Sequence, residues 1–428
     1  MPQPSTPVVP DASAAPPAAA GAGSDVRDLA ARARGAAGEA GRRFAVAVRP
    51  ALPAIVGYLL ARVVNLVVFG LMAFAAHKPF WKMVGSWDGL WFRDIADFGY
   101  VDRLPVSPLG KPYWVNVEFF PGYPYLMRAV STVTGLDSLA AGMVVTFASG
   151  AVAAWGIYAL GRELTGSHRV ATLFALLWAV APGSMVLTMV YSEALFVAFA
   201  SWALLAIVRR RWMTAMTLTI LAGFTRNTAF ALVAALGVAA LQVVLSRRDD
   251  GTRVGLPAPE ARRPVVATVL APLGCVGFIA WVGYIGKRWD AWFWIQDKAF
   301  NLRMDFGVST VQWMNKYLTH LGRPIYVVCT FVIILSVALM IWSFRDRKVP
   351  LAVHVYGGLV MFLALTTSNG WFFQSKPRFM LPAFTIGLPL AALMARWPRK
   401  VAAVVLVAGA AFSGWYVGYL VYVVNTNP

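Results

Sequence analysis

An all-α polytopic membrane protein, with about eleven transmembrane helices and a long first external loop carrying interfacial helices, is the fold class this chain predicts. Three observations predict it. The 428 residues are 59% hydrophobic and only 13% charged, with 17 tryptophans, far more apolar than a soluble domain of that length. Runs of apolar residues recur along the chain, each long enough to cross a hydrocarbon core of roughly 30 Å, and no alternating ten-residue pattern suggests a β-barrel. Lysine and arginine gather in short clusters on alternate sides of those runs, as membrane topology requires.

Taken in order, residues 1–49 are rich in Pro, Ala, Gly and Ser with scattered Arg, too poor in large apolar side chains to fold alone, and read as a disordered cytoplasmic tail. Residues 50–428 read as a single transmembrane domain. Its first span, about 51–76, carries Arg62 and Asn65 on one face, and a polar pair at that depth must turn to the bundle interior. Residues 77–137 form the first external loop. Further spans are expected at about 138–160, 170–189, 193–208, 213–225 and 226–245, then 265–286, 324–344, 350–368, 379–395 and 401–423. Residues 287–323 make a second large external loop. The span at 213–225 is too short to cross unaided and is kept because the chain must return between two basic clusters.

Segments 161–169, 209–212, 246–264, 345–349 and 396–400 hold 16 Lys and Arg in 42 residues, against 15 in the 115 residues of the opposite set. The first set is therefore cytoplasmic, and an odd number of spans leaves the C-terminus external. The formal net charge of +19 comes from basic residues that sit in short clusters between apolar runs, which argues against a nucleic-acid partner. Cys275 and Cys329 lie inside apolar runs and read as small buried hydrophobes.

Asp88, Asp94, Glu118, Glu193, Arg226, Asp290, Asp297, Asp305, Lys376 and Arg378 all fall on the external side, and the first of them sit in residues 86–100, SWDGLWFRDIADFGY. As a helix this stretch puts Trp87, Leu90, Trp91, Ile95 and Phe98 on one apolar face and ends at Gly99. Arg93 and Asp97, four apart, can pair. Asp88 is left without a local partner, so it is either a helix-terminus carboxylate or a general base of reduced solvation at the membrane face. Asp94 projects among the apolar residues and invites the same reading.

Four further blocks follow. In NVEFFPGYPYLMR (116–128) the prolines and glycine force a bend, Glu118 is the sole carboxylate, and Tyr123 and Tyr125 read as aromatic-belt anchors. In YSEALF (191–196), Tyr191 and Ser192 precede Glu193 at the mouth of an apolar span, where the glutamate either caps the helix or meets substrate. GFTRN (223–227) holds Arg226 and Asn227 with no nearby carboxylate, which suits an anionic ligand as well as it suits snorkelling. QSKPRF (374–379) presents Lys376 and Arg378 on the external side, against the positive-inside trend, as a lipid-phosphate site would. The sequence has no phosphate-cradling glycine loop and no histidine pair at metal spacing.

The ordered blocks WDGLWFRDIADFGY, EFFPGYPYLMR, YSEALF, GFTRNTAFALVA and PRFMLPAF resemble the PIG-V-like mannosyltransferases of the GT-C class. The likeness touches most of the chain from Ala51 onward. It departs from the family pattern at Phe92, where Tyr is usual, at Gly122, where a larger apolar residue is usual, and over 102–114, which looks like an insertion. The resemblance implies a GT-C-like bundle that transfers mannose, with inversion, from a polyprenyl-phosphate-mannose donor to a hydroxyl of a glycolipid, glycan or protein acceptor on the external face. It makes Asp88 the base. Arg226, Lys376 and Arg378 would hold the departing phosphate, and Asp94, Glu118, Tyr191, Glu193 and Asn227 would complete the substrate contacts, with no metal or other cofactor. The expected location is a plasma membrane, or the endoplasmic reticulum if the source is eukaryotic. A lipid or sugar transporter without glycosyl transfer is the competing class, disfavoured because its ionisable groups should lie near the midplane.

Overall fold

The computed structural model describes Glu39, Arg42 and residues 45–107, 110–246, 254–256, 258–320, 323–368 and 372–428. The chain divides into two units, Met1–Pro50 and Ala51–Pro428. In the first, residues 45–48 are helical, and most of the tail expected over 1–49 lies outside the described residues, as does part of the basic segment 246–264.

The described residues are mostly helical. Among the described residues, seven helical segments are long and apolar enough to span a membrane: Ala45–Ala75, Ser138–Thr165, Asn227–Val244, Pro259–Ile285, Pro324–Phe344, Phe373–Met394 and Arg399–Val424. Four shorter apolar helices accompany them: His168–Ala179, Glu193–Val208, Trp212–Gly223 and Leu351–Thr366. The protein is thus multi-pass and all-α, and these segments match the eleven expected spans in number and order. The sheet among the described residues is a two-residue antiparallel ladder, Arg303–Met304 with Thr367–Ser368, tying the segment over 287–323 to the end of the Leu351–Thr366 helix.

Several expected spans are interrupted, that over 170–189 among them. The apolar run over 170–189 ends its α-helix at Ala179 and resumes as a 3-10 turn, Ser184–Thr188, because Pro182 and Gly183 interrupt the hydrogen-bond ladder. Arg62 answers the break. Its guanidinium donates to the carbonyls of Ala179 and Ser184, which the helix end would otherwise leave unpaired in the membrane. Asn65, one turn away, donates to the Ala410 carbonyl at 2.6 Å. The polar pair faces inward as expected, and its work is to hold an irregular backbone.

The helices approach one another where small residues permit it. At Gly274 a Cβ would stand 2.0 Å from the Ile220 carbonyl oxygen, so Trp212–Gly223 and Leu273–Ile285 cross with their backbones in contact.

Candidate functional site

The loop over 77–137 supplies the floor of the site. Residues Asp88–Phe98 form the expected helix, stopped at Gly99 with φ +88°, and only part of its apolar face packs on protein. Phe92, Ile95 and Ala96 are buried, whereas Leu90 and Phe98 are 56% and 83% exposed. The reason lies beneath the helix. Phe92 packs edge-on to Tyr123 and Phe119, and Arg128 donates to the Ala96 and Ile95 carbonyls, so the helix is rotated onto Gly122–Thr134. Tyr123 is no belt anchor: it is fully buried, with its hydroxyl on Thr146 Oγ1 and the Gly142 carbonyl. Arg93 and Asp97 meet through Ser138 Oγ, at 3.3 and 2.9 Å.

Just ahead of the helix, Trp87 takes φ +59°, a left-handed backbone that a bulky residue adopts only where its surroundings insist. The next residue is Asp88. It is not partnerless. One carboxylate oxygen is paired with the Arg378 guanidinium, 290 residues away, and the other accepts from Asn427 Nδ2 at 3.3 Å. Its side chain is 15% exposed and opens on a cavity of about 1100 Å³.

Behind Asp88 lies a buried charge cluster. Glu193, with no exposed surface, stands 2.9 Å from both Arg378 Nε and Arg226 Nη1. Neither approach has hydrogen-bond geometry, so the attraction is coulombic, and Arg226 Nη1 completes itself on Ser192 Oγ at 3.0 Å. The Arg378 guanidinium also stacks 4.8 Å over the Tyr191 ring and donates to Asn427 Oδ1 at 3.0 Å and the Pro428 carbonyl at 3.3 Å. Two guanidiniums and two carboxylates thus neutralise one another at the cavity wall.

Across the cavity, Asp94 accepts from Asn116 Nδ2 at 2.9 Å. Glu118 accepts from Gln296 Nε2 at 3.1 Å through one oxygen, while the other is shut off from solvent without a hydrogen bond. Burial, and then the nearby Asp88 charge, push the Glu118 carboxyl well above its ordinary range against the opposing pull of Gln296 and Arg378. Aromatic rings complete this side, with Trp91 stacked on Phe119 and Trp114 on Phe300.

Of the residues singled out from sequence, Asp88, Asp94, Glu118, Arg226, Asn227 and Arg378 line one cavity. Tyr191 and Glu193 stand behind Arg378. Lys376 is elsewhere: buried, its Nζ donates to the Ala364, Leu365 and Thr367 carbonyls at 2.9, 3.4 and 3.3 Å, closing the end of the Leu351–Thr366 helix. Sequence reasoning missed Gln296, Phe300, Thr426 and Asn427, which also line the cavity. The uncharged Gln296 just after the tryptophans of 289–294, and a polar Thr-Asn pair shortly after the last apolar span, were the available signals.

The sequence matches no family model and no curated protein. Among solved structures the chain is similar to the oligosaccharyltransferase of Archaeoglobus fulgidus. With the form tethered to an acceptor peptide, the identity is 13% and the TM-score 0.41, over 85% of this chain and 54% of that one. With the archaeal oligosaccharyltransferase AglB in complex with an inhibitory peptide and a dolichol-phosphate the figures are 13%, 0.40, 85% and 55%. The chain therefore spans little more than half the length of these proteins.

Proposed function

We propose that the protein is an integral-membrane glycosyltransferase that moves mannose, with inversion, from a polyprenyl-phosphate-mannose donor to an acceptor hydroxyl at the external face. The observation that carries this reading is the placement of Asp88. The carboxylate that the PIG-V-like motif marks as the base opens on a large cavity whose wall also holds Arg226 and Arg378. In the reaction, Asp88 accepts the proton of the acceptor hydroxyl as its oxygen attacks the anomeric carbon. The bond from that carbon to the phosphate oxygen breaks with both electrons leaving on the phosphate. A phosphate departs as a weak base, so no protonating acid is required and one carboxylate suffices. Arg226 and Arg378 stabilise the departing charge, while Asp94, Glu118 and Asn227 address sugar and acceptor hydroxyls. Tyr191 and Glu193 act by fixing the arginines. Lys376, committed to three carbonyls, is left out of the phosphate site.

The reading assigns the donor a lipid-phosphate sugar, the acceptor a glycolipid, glycan or protein, and the catalyst no metal. It locates the chain in a plasma membrane, or an endoplasmic reticulum membrane in a eukaryote, with the N-terminus cytoplasmic and the C-terminus external. The test is to incubate purified protein with labelled polyprenyl-phosphate mannose and membrane extract and to identify the new linkage. Asp88→Asn should lower transfer by roughly 10²- to 10⁴-fold, the usual worth of a general base. Transfer near wild type in folded Asp88→Asn protein would remove Asp88 from the chemistry.

A further inference from the structure

The segment after the last membrane helix turns back into the cavity and is fixed there by its backbone. Asn425 takes the left-handed φ of +58°, and the Thr426 amide donates to the Leu420 carbonyl at 3.0 Å. Thr426 Oγ1 accepts from Gln374 Nε2 at 2.8 Å, and the Asn427 carbonyl accepts from Ser375 Oγ at 3.0 Å. The Asn427 side chain is thereby presented to both members of the Asp88–Arg378 pair. Its Oδ1 accepts from Arg378 Nη1 at 3.0 Å and its Nδ2 donates to Asp88 Oδ1 at 3.3 Å. A guanidinium can only donate and a carboxylate can only accept, so the sense of the amide is set by its two neighbours.

Arg378 holds one oxygen of Asp88, but the torsion that rotates an aspartate carboxylate is broad and twofold. A single contact leaves that rotation loose. We propose that Asn427 is a positioning residue for the transfer: by holding the second oxygen it fixes the plane of the Asp88 carboxylate, and so the direction from which an acceptor hydroxyl can surrender its proton. The inference rests on Asp88 being the base. It assigns a role to a part of the chain that no motif pointed to.

Asn427→Ala should lower kcat by between about tenfold and about 100-fold, the scale on which small misplacements of a reacting group are felt, with KM for the donor unchanged. Asn427→Asp should move the acid limb of the kcat/KM profile upward by about one unit, since a second carboxylate raises the proton affinity of Asp88 and competes for Arg378. The charged and titratable groups already facing Asp88 are Arg378, with Glu193 behind it, Tyr191 and Glu118. All stay constant in that comparison. Asn427→Asp is nearly isosteric and keeps the test open if Asn427→Ala does not fold. A wild-type kcat in folded Asn427→Ala, or an acid limb that does not move in Asn427→Asp, overturns the inference. Asp88→Asn run in parallel separates the two failures: if it is inactive while the Asn427 variants behave as wild type, only the role of Asn427 falls. If Asp88→Asn is active, the assignment of the base falls first.

Discussion

Glu193 has no exposed surface and two arginines for neighbours, which makes it the residue on which the site's geometry turns. Replacing one member of a buried ionic cluster leaves its partners charged without compensation, at a cost of about 3–5 kcal/mol. Glu193→Gln should therefore lower the unfolding midpoint in detergent well beyond what a change of similar shape at the surface would do. An unchanged midpoint would mean that Arg226 and Arg378 find equal partners elsewhere. Glu118 offers a second test, through pH. Its carboxyl is raised above the ordinary value of 4.5, so the folded chain binds that proton more tightly than the unfolded chain. The stability it contributes is full below pH 4.5 and is lost as pH rises through the raised value. The unfolding midpoint of wild type relative to Glu118→Gln should accordingly fall as pH is increased from 4.5 upward; a difference independent of pH would contradict the shift.

At the scale of elements, the crossing at Gly274 admits no side chain. A methyl group there would meet the Ile220 carbonyl oxygen at 2.0 Å, and overpacking of this kind costs about 1–3 kcal/mol where neighbours can yield. A backbone carbonyl yields little, so Gly274→Ala should reduce the yield of folded protein and its thermal midpoint, both read by fluorescence-detected gel filtration. Which elements could be read from sequence follows from how local their causes are. Most of the spans, and the helix over 88–98, follow from apolar length and from Gly99. The break after Ala179 was foreshadowed by Pro182 and Gly183, but its repair by Arg62 was not, because that partnership is tertiary. The rotation of the 88–98 helix onto Phe92 was likewise hidden: counting apolar residues ranks Phe98 beside Ile95, and only the packing of Tyr123 and Arg128 separates them. The sequence singled out Asp88 by its motif, and the structure places it on the cavity, whereas its partners Arg378 and Asn427 lie 290 and 339 residues away, beyond the reach of any spacing argument. Lys376 misled for a related reason, since a cation on the external side reads alike whether it meets a phosphate or a helix end.

For the whole molecule, the distribution of Lys and Arg assigns opposite sides to the loops at 287–323 and 345–349. Both natural cysteines are buried, so single introduced cysteines report cleanly. A membrane-impermeant maleimide should label Trp289→Cys in intact cells and Arg347→Cys only after permeabilisation; the reverse pattern would invert the assigned topology. The ion pair between Asp88 and Arg378 also has a bearing on how the protein is made. At synthesis rates of about 5–20 residues per second, roughly 15–60 s separate the emergence of its two members from the ribosome. During that interval Asp88 lacks the guanidinium that it meets in the folded chain. The Asp88–Arg378 pair therefore closes only after 290 further residues have been made, so the first loop takes its folded form late relative to its own synthesis.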